Sequence, residues 1–167
     1  MLDIATIFHT LLFAYQKSVK ELLGSGSAIF VHPTIETLNK IEKKRGLNLF
    51  KGKSLDEVYA NLSDFFLKTG VVKEFTFEKV GADKYILRVD GCMWARHIHE
   101  ELKPQDVTCP YALLAMAVFE KATGRKVKVA DSRYFKEGTE TIIEALAPLT
   151  FEVYDYDKMR EKETNTC

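Results

Sequence analysis

The residues best suited to chemistry lie between positions 92 and 109, where Cys92, His97, His99 and Cys109 supply two thiols and two imidazoles. Two cysteines and two histidines are a ligand set of structural zinc, although this spacing is not that of a zinc finger. Two interpretations stay open. The four residues form a metal site that ties the segment after the first predicted hairpin to the next helix, or two buried thiols lie beside two solvent-facing histidines.

Cys109 follows Thr108, which is a suitable N-cap for a helix that begins at residue 109. The free amides and the dipole at the start of a helix favour a thiolate there. This position suits a metal ligand, a redox-sensing thiol or an acylated cysteine, and an inert core thiol is the alternative. No base lies nearby in sequence to activate the thiol, and no catalytic or nucleotide-binding motif occurs, so a non-catalytic role is favoured.

The helix that follows Cys109 is expected to be buried on most sides, because no charged residue occurs from position 109 to 119. A pocket for a small apolar or aromatic molecule is one interpretation, since methionine adapts to irregular ligands. Ordinary core packing is the other. The candidate lining residues are Trp94, Cys109, Tyr111, Met116 and Phe119.

The elements that position these residues follow from hydrophobic periodicity. Spacing of three and four predicts helices over 2–23, from His32-Pro33 to Gly46, from a capping box at Ser54–Glu57 to Gly70, and from 109 to 123, with a short helix within 91–103. Alternation predicts one hairpin around 75–89 and another over 126–135 and 139–146. The order α-α-α-β-β-α-β-β indicates an α+β fold with helices covering one face of a four-stranded antiparallel sheet.

Composition narrows the class of protein. The 167 residues contain 24 basic and 24 acidic side chains, and a neutral chain is a poor general binder of nucleic acid. Three cysteines do not make a disulfide scaffold, and the N-terminal apolar stretch is too short to span a membrane, so a soluble, cytoplasmic protein is expected. We expect one domain over 1–154 and a frayed polar tail over 155–167. The first helix has a wide uncharged surface that could form a homodimer seam.

The C-terminal half resembles the 4-vinyl reductase domain family. The resemblance depends on Cys109-Pro110-Tyr111, the apolar helix after it, Gly124-Arg125-Lys126-Val127, and the strand from Asp131 to the turn at Gly138. It implies the fold shared by the small subunits of the Golgi-tethering TRAPP complex and the haem nitric-oxide-binding domains. It also implies small-molecule binding, as in family members that sense aromatic compounds.

In sensing members of that family, three cysteines and a carboxylate hold zinc near the ligand pocket. Carried over by resemblance, Cys109 matches the first cysteine and Asp131 the carboxylate, while the other two positions fall on Tyr134 and Ile142. Cys92, His97 or His99 could complete the set. The leading hypothesis is thus a non-catalytic small-molecule sensor, and the alternatives are a metal- or redox-responsive regulator and a dimeric assembly protein.

Overall fold

The computed structural model describes residues 4–23, 28–46, 50–95, 98–99, 102–103 and 107–147. The elements in chain order are α1 (Ile4–Leu23), α2 (Ala28–Arg45), α3 (Leu55–Thr69), β1 (Glu74–Lys79), β2 (Lys84–Asp90), α4 (Pro110–Thr123), β3 (Val127–Phe135) and β4 (Gly138–Ala145). The predicted α+β class and element order are confirmed. None of the helices in these ranges combines the length and hydropathy needed to cross a lipid bilayer. The predicted tail over 155–167 lies outside the described residues.

The four strands form one antiparallel sheet in the order β1-β2-β4-β3. Alternation decides its two faces, since Tyr85, Leu87 and Val89 of β2 are buried while the residues between them are less so. Helices α3 and α4 pack on the buried face. On the other face of the sheet, Arg88 donates to Glu140 at 2.7 Å, and this charged pair is typical of a solvent-facing side.

The predicted capping box starts α3 nearly as expected. Ser54 Oγ accepts from the Glu57 amide at 3.2 Å. The Glu57 carboxylate accepts from the amide of Lys53 at 2.7 Å, one residue before the amide that the motif predicts. Gly70 ends the helix in the left-handed conformation with φ of 69° and bonds the Leu67 carbonyl.

The start of α2 was predicted too late. The helix begins at Ala28, so Pro33 lies in its second turn rather than at its first position. Proline has no N–H to donate to the carbonyl of residue 29. Since the first residues of a helix need no such donor, proline is common there, and Pro33 was interpreted as a helix start. The hydroxyl of Thr34 donates to the Phe30 carbonyl at 2.7 Å, one residue after the carbonyl that Pro33 leaves without its helical donor.

Helix α4 lies at the centre of the main core, as the absence of charged residues from position 109 to 119 predicts. Met116 and Phe119 are fully buried, and the Tyr59 hydroxyl of α3 donates to the Ala115 carbonyl at 2.7 Å. The Phe119 ring contacts the ring of Tyr85 on β2 at 5.0 Å between centroids. These contacts fix α4 between α3 and the sheet.

Helix α1 turns an unexpected face towards the protein. His9, Phe13 and Gln16 are buried at spacings of four and three, on one side of the helix. The large apolar side chains of the opposite side stay exposed, and they are Ile7, Phe8, Leu11, Tyr15, Leu22 and Leu23. The polar side of α1 therefore meets the chain's own sheet and loops, and its apolar stripe does not.

Within the described residues of the segment 91–103, the predicted short helix is present only as a 3-10 turn at His99. Ala95 and Ile98 instead close consecutive turns onto the carbonyls three residues earlier, and Leu102 bonds the carbonyl of His99. This run of turns brings His99 under the beginning of β4.

Candidate ligand site

The centre of the candidate site is a pair of histidines from distant parts of the chain. His9 of α1 and His99 of the turn segment are 3% and 4% exposed, and their ring centroids lie 5.5 Å apart at an interplanar angle of 83°. His9 Nδ1 lies 2.6 Å from the Trp94 carbonyl oxygen. His99 Nδ1 lies 3.0 Å from the carbonyl oxygens of both Phe135 and Gly138.

These contacts fix which nitrogen carries the proton. A carbonyl oxygen can only accept, so each Nδ1 must donate, and the lone pair of the neutral ring is then on Nε2. Burial lowers the pKa of His9 to about 4, and the neighbouring His99 adds to this, while burial also lowers the pKa of His99. Both rings are therefore neutral at neutral pH, and both Nε2 atoms are acceptors.

Neither Nε2 atom has a hydrogen-bond partner within the described part of the chain, although both are buried. A buried polar atom without a partner costs about 1–3 kcal/mol, which makes each such atom a candidate contact for a ligand. Two such atoms on neighbouring rings define a candidate site that prefers two kinds of ligand. The site accepts hydrogen bonds from a donor, or it donates electron pairs to a metal.

Aromatic side chains surround the two imidazoles. Phe13 stacks on His9 with centroids 4.4 Å apart, and Tyr134 contacts the His99 ring edge to face at 5.0 Å. Trp94, which is 37% exposed, also lies edge to face with His9, at 6.4 Å. The imidazole pair is thus enclosed by rings on the inside and borders a partly exposed tryptophan on the outside.

A second unsatisfied group lies two helical turns along α1. Gln16 Oε1 accepts from the Thr108 amide at 2.9 Å, and its Nε2 is buried without a partner in the described residues. Thr108 was predicted to cap α4, but the helix starts one residue later with Cys109 as an N-cap that makes no side-chain bond. The backbone of Thr108 is used to hold α1 instead.

The two buried cysteines lie close enough to interact electrostatically. Burial raises the pKa of Cys109 and of Cys92, which favours the inert core thiol over the thiolate among the interpretations open for Cys109. Tyr111 lies beside Cys92 and Thr139 beside Cys109, and each hydroxyl lowers the pKa of its neighbouring thiol against the larger, opposite effect of burial. Thr139 Oγ1 is buried without a hydrogen-bond partner in the described residues. These thiols are protonated and buried, which argues against a reactive nucleophile.

The other predicted site residues are found in different environments. Met116 and Phe119 pack in the main core, while Asp131 is exposed on β3 and accepts from the amide of Ser132 at 2.8 Å. His97 lies outside the described residues. In the remainder, no three His, Cys, Asp or Glu side chains come together as a metal site. The zinc site made of Cys92, His97, His99, Cys109 and Asp131 stays a prediction.

His9 and Gln16 were missed by the sequence reasoning. A signal was present, because these polar side chains occur at positions i and i+7 of the stretch from Ile4 to Gln16, which has no Asp, Glu, Lys or Arg, with Phe13 between them. The apolar stripe on the other side of α1 is stronger and attracts attention first. The pairing of residue 9 with residue 99 has no local signal, since it depends on tertiary packing.

Gly138, whose carbonyl contacts His99, lies very close to the neighbouring strand, and its substitution tests this close approach. A Cβ at this position would collide with the Val89 carbonyl oxygen of the neighbouring strand. We expect Gly138→Ala to lower the free energy of unfolding by about 1–3 kcal/mol through overpacking. Gly81→Ala in the exposed first hairpin is the control, since its nearest contact is an ordinary 3.5 Å. Urea unfolding measures both, and equal costs would contradict the close approach.

The geometry defines an α+β domain with a buried pair of neutral histidines between its first helix and the second hairpin. The chain belongs to the family described as the putative rubredoxin C-terminal domain, whose model matches residues 8–146. The resemblance to the 4-vinyl reductase domain family is therefore wrong, and the sensing role and zinc ligands that it implied lose that support. Comparison with curated proteins and with solved structures gives no match.

The family description raises the question of whether this chain holds an iron centre of its own. A centre bound by cysteine alone takes four thiolates. The sequence has three cysteines, at positions 92, 109 and 167, and none of them forms a Cys-x-x-Cys pair. The residues present do not fit such a centre.

Proposed function

We propose that this chain is a non-catalytic binding domain of a redox or metal-dependent system, and that its ligand binds at His9 and His99. The family match supports a role in a redox or metal-dependent system, because the family description refers to rubredoxins, which are redox metal proteins. The single observation that carries the site is that both imidazoles donate through Nδ1 to the backbone, while both Nε2 lone pairs are buried without a partner in the described residues.

The arrangement favours binding over catalysis. The thiols nearby are protonated, and the histidines, whose pKa values are lowered by burial, are not at the midpoint that proton transfer at neutral pH needs. The rings of Phe13, Trp94 and Tyr134 supply apolar contact around the two lone pairs. Few polar groups within a mainly aromatic lining are typical of a small-ligand site.

Native mass spectrometry of protein purified without chelators tests the proposal. We expect a mass above that of the chain, lost in His9→Asn and in His99→Asn. Asparagine can still donate to the same carbonyls but lacks the distal lone pair. His32→Asn is the matched control, since His32 is exposed on α2. Wild-type protein with the bare chain mass, before and after incubation with cell extract, would contradict the proposal.

A second candidate role is self-association, supported by the exposed apolar stripe of α1. Phe8 and Leu11 are 65% and 59% exposed, and no charged residue occurs from Ile4 to Gln16. Two copies of this face could pack together without desolvating a charge, whereas Lys17 and Lys20 would lie at the rim. We propose a second copy of this chain as the occupant.

Light scattering coupled to size exclusion tests the dimer. The wild-type protein should have twice the chain mass, and Leu11→Asp should be monomeric with unchanged secondary structure. Leu67→Asp on α3 is the control, because Leu67 is also exposed but lies on another helix. A wild-type monomer at every concentration would remove this role.

A further inference from the structure

We propose that the ligand of the His9–His99 pair is a first-row divalent transition-metal ion such as Zn²⁺, bound by the two Nε2 atoms. This inference rests on the proposed function and names the class of its ligand. It differs from the zinc site expected from the sequence, because the cysteines take no part and His9 is a ligand.

Both rings have the backbone contact that is typical of metal-binding histidines. Histidines that bind metals almost always donate their other ring nitrogen to a backbone carbonyl or carboxylate, which fixes the tautomer and the ring plane. His9 makes this contact with the Trp94 carbonyl and His99 with that of Gly138. Both rings are therefore already held in the form that a metal needs, with an unprotonated Nε2.

The separation of the two rings also fits a shared ion. Two imidazoles that bind one tetrahedral ion at the usual zinc–nitrogen distance have centroids about 5 Å apart. The observed centroid separation of 5.5 Å is close to this value. A bridging water would also satisfy two lone pairs, and it is the competing occupant that the experiment must distinguish.

The donor atoms of the site are imidazole nitrogens, which decides the class of metal ion. Imidazole nitrogen suits zinc, copper, iron and nickel, while magnesium and calcium need oxygen ligands. No carboxylate joins the two histidines within the described residues, and the buried thiols carry protons. Such a site should therefore bind Co²⁺ or Zn²⁺ and not Mg²⁺.

Titration of the chelator-treated full chain with Co²⁺ tests the inference, because this ion reports its own ligands optically. We expect visible bands at one ion per chain, no thiolate charge-transfer band, and no competition by Mg²⁺. His9→Asn and His99→Asn should weaken binding by about 100-fold or more, since even loss of an outer partner of a metal ligand costs about 10–100-fold. His32→Asn and Cys109→Ala should bind as the wild type does.

Each other outcome overturns the inference. A charge-transfer band lost in Cys109→Ala would make the thiols the ligands. Undiminished Co²⁺ binding in His9→Asn would place the metal elsewhere. Absence of Co²⁺ binding together with a native organic ligand lost in His9→Asn would overturn the metal while leaving the proposed function intact. Absence of both would overturn the two together. Circular dichroism of each variant confirms that it is folded.

Discussion

Replacing Phe119 by alanine is expected to lower the free energy of unfolding by about 3–5 kcal/mol, the range for removing a large aromatic ring from a core. The side chain is 1% exposed and packs against Phe77 and Tyr85 on two strands. Urea unfolding followed by circular dichroism measures the loss. Leu67→Ala is the control, because this side chain is 45% exposed on α3 and should cost much less.

The same substitution separates two roles for Phe119. A side chain that lines a ligand cavity borders a space that is already empty. Its removal therefore lowers the free energy of unfolding by less than its removal from a packed core does. A loss no larger than that of Leu67→Ala would favour the pocket interpretation and contradict core packing. If Phe119→Ala does not fold, Phe119→Leu retains most of the volume and should still be destabilised.

Acidification of the metal-free protein from neutral pH to pH 4 is expected to remove about 3 kcal/mol of stability through His9 alone. Its pKa is 6.5 in the unfolded chain and about 4 in the folded protein, and one pKa unit corresponds to about 1.36 kcal/mol. Between these values the unfolded chain binds more protons. The stabilisation is thus complete above pH 6.5 and is lost as the pH falls through this window.

The pH dependence is assigned by variants. His99, whose pKa is also lowered by burial, adds to the loss, so both rings must be replaced to remove it. His9→Asn should reduce the slope of unfolding free energy against pH, and His9→Asn with His99→Asn should reduce it further. An unchanged slope in the double variant would contradict neutral, buried histidines.

Local signals in the sequence were sufficient for most of the fold. The capping box at Ser54, the glycines at 70 and 124 and the change of period after residue 73 placed the helices and both hairpins. The predicted starts of α2 and α4 were wrong, because the residues taken as their start signals play another part in the structure. Pro33 was taken as a helix start, although α2 tolerates it in the second turn. Thr108 was taken as a cap, although its amide bonds Gln16.

The candidate site was predicted only in part. His99 was expected because it lies in a segment with other potential ligands, whereas its partner His9 is 90 residues away on a helix whose apolar side dominates the pattern. The contact between them depends on how α1 docks against the second hairpin. Hydrophobic periodicity favours burial of the Phe8 and Leu11 side, but the polar side is buried. Such a reversal is a property of the packed molecule, not of the helix.

Heteronuclear NMR of the imidazole nitrogens in chelator-treated protein tests the central claim most directly. We expect both His9 and His99 to be neutral, with a proton on Nδ1 and none on Nε2, and one equivalent of Zn²⁺ to shift both Nε2 resonances together. Imidazolium rings, a proton on either Nε2, or Nε2 resonances indifferent to Zn²⁺ and to every retained ligand would contradict it.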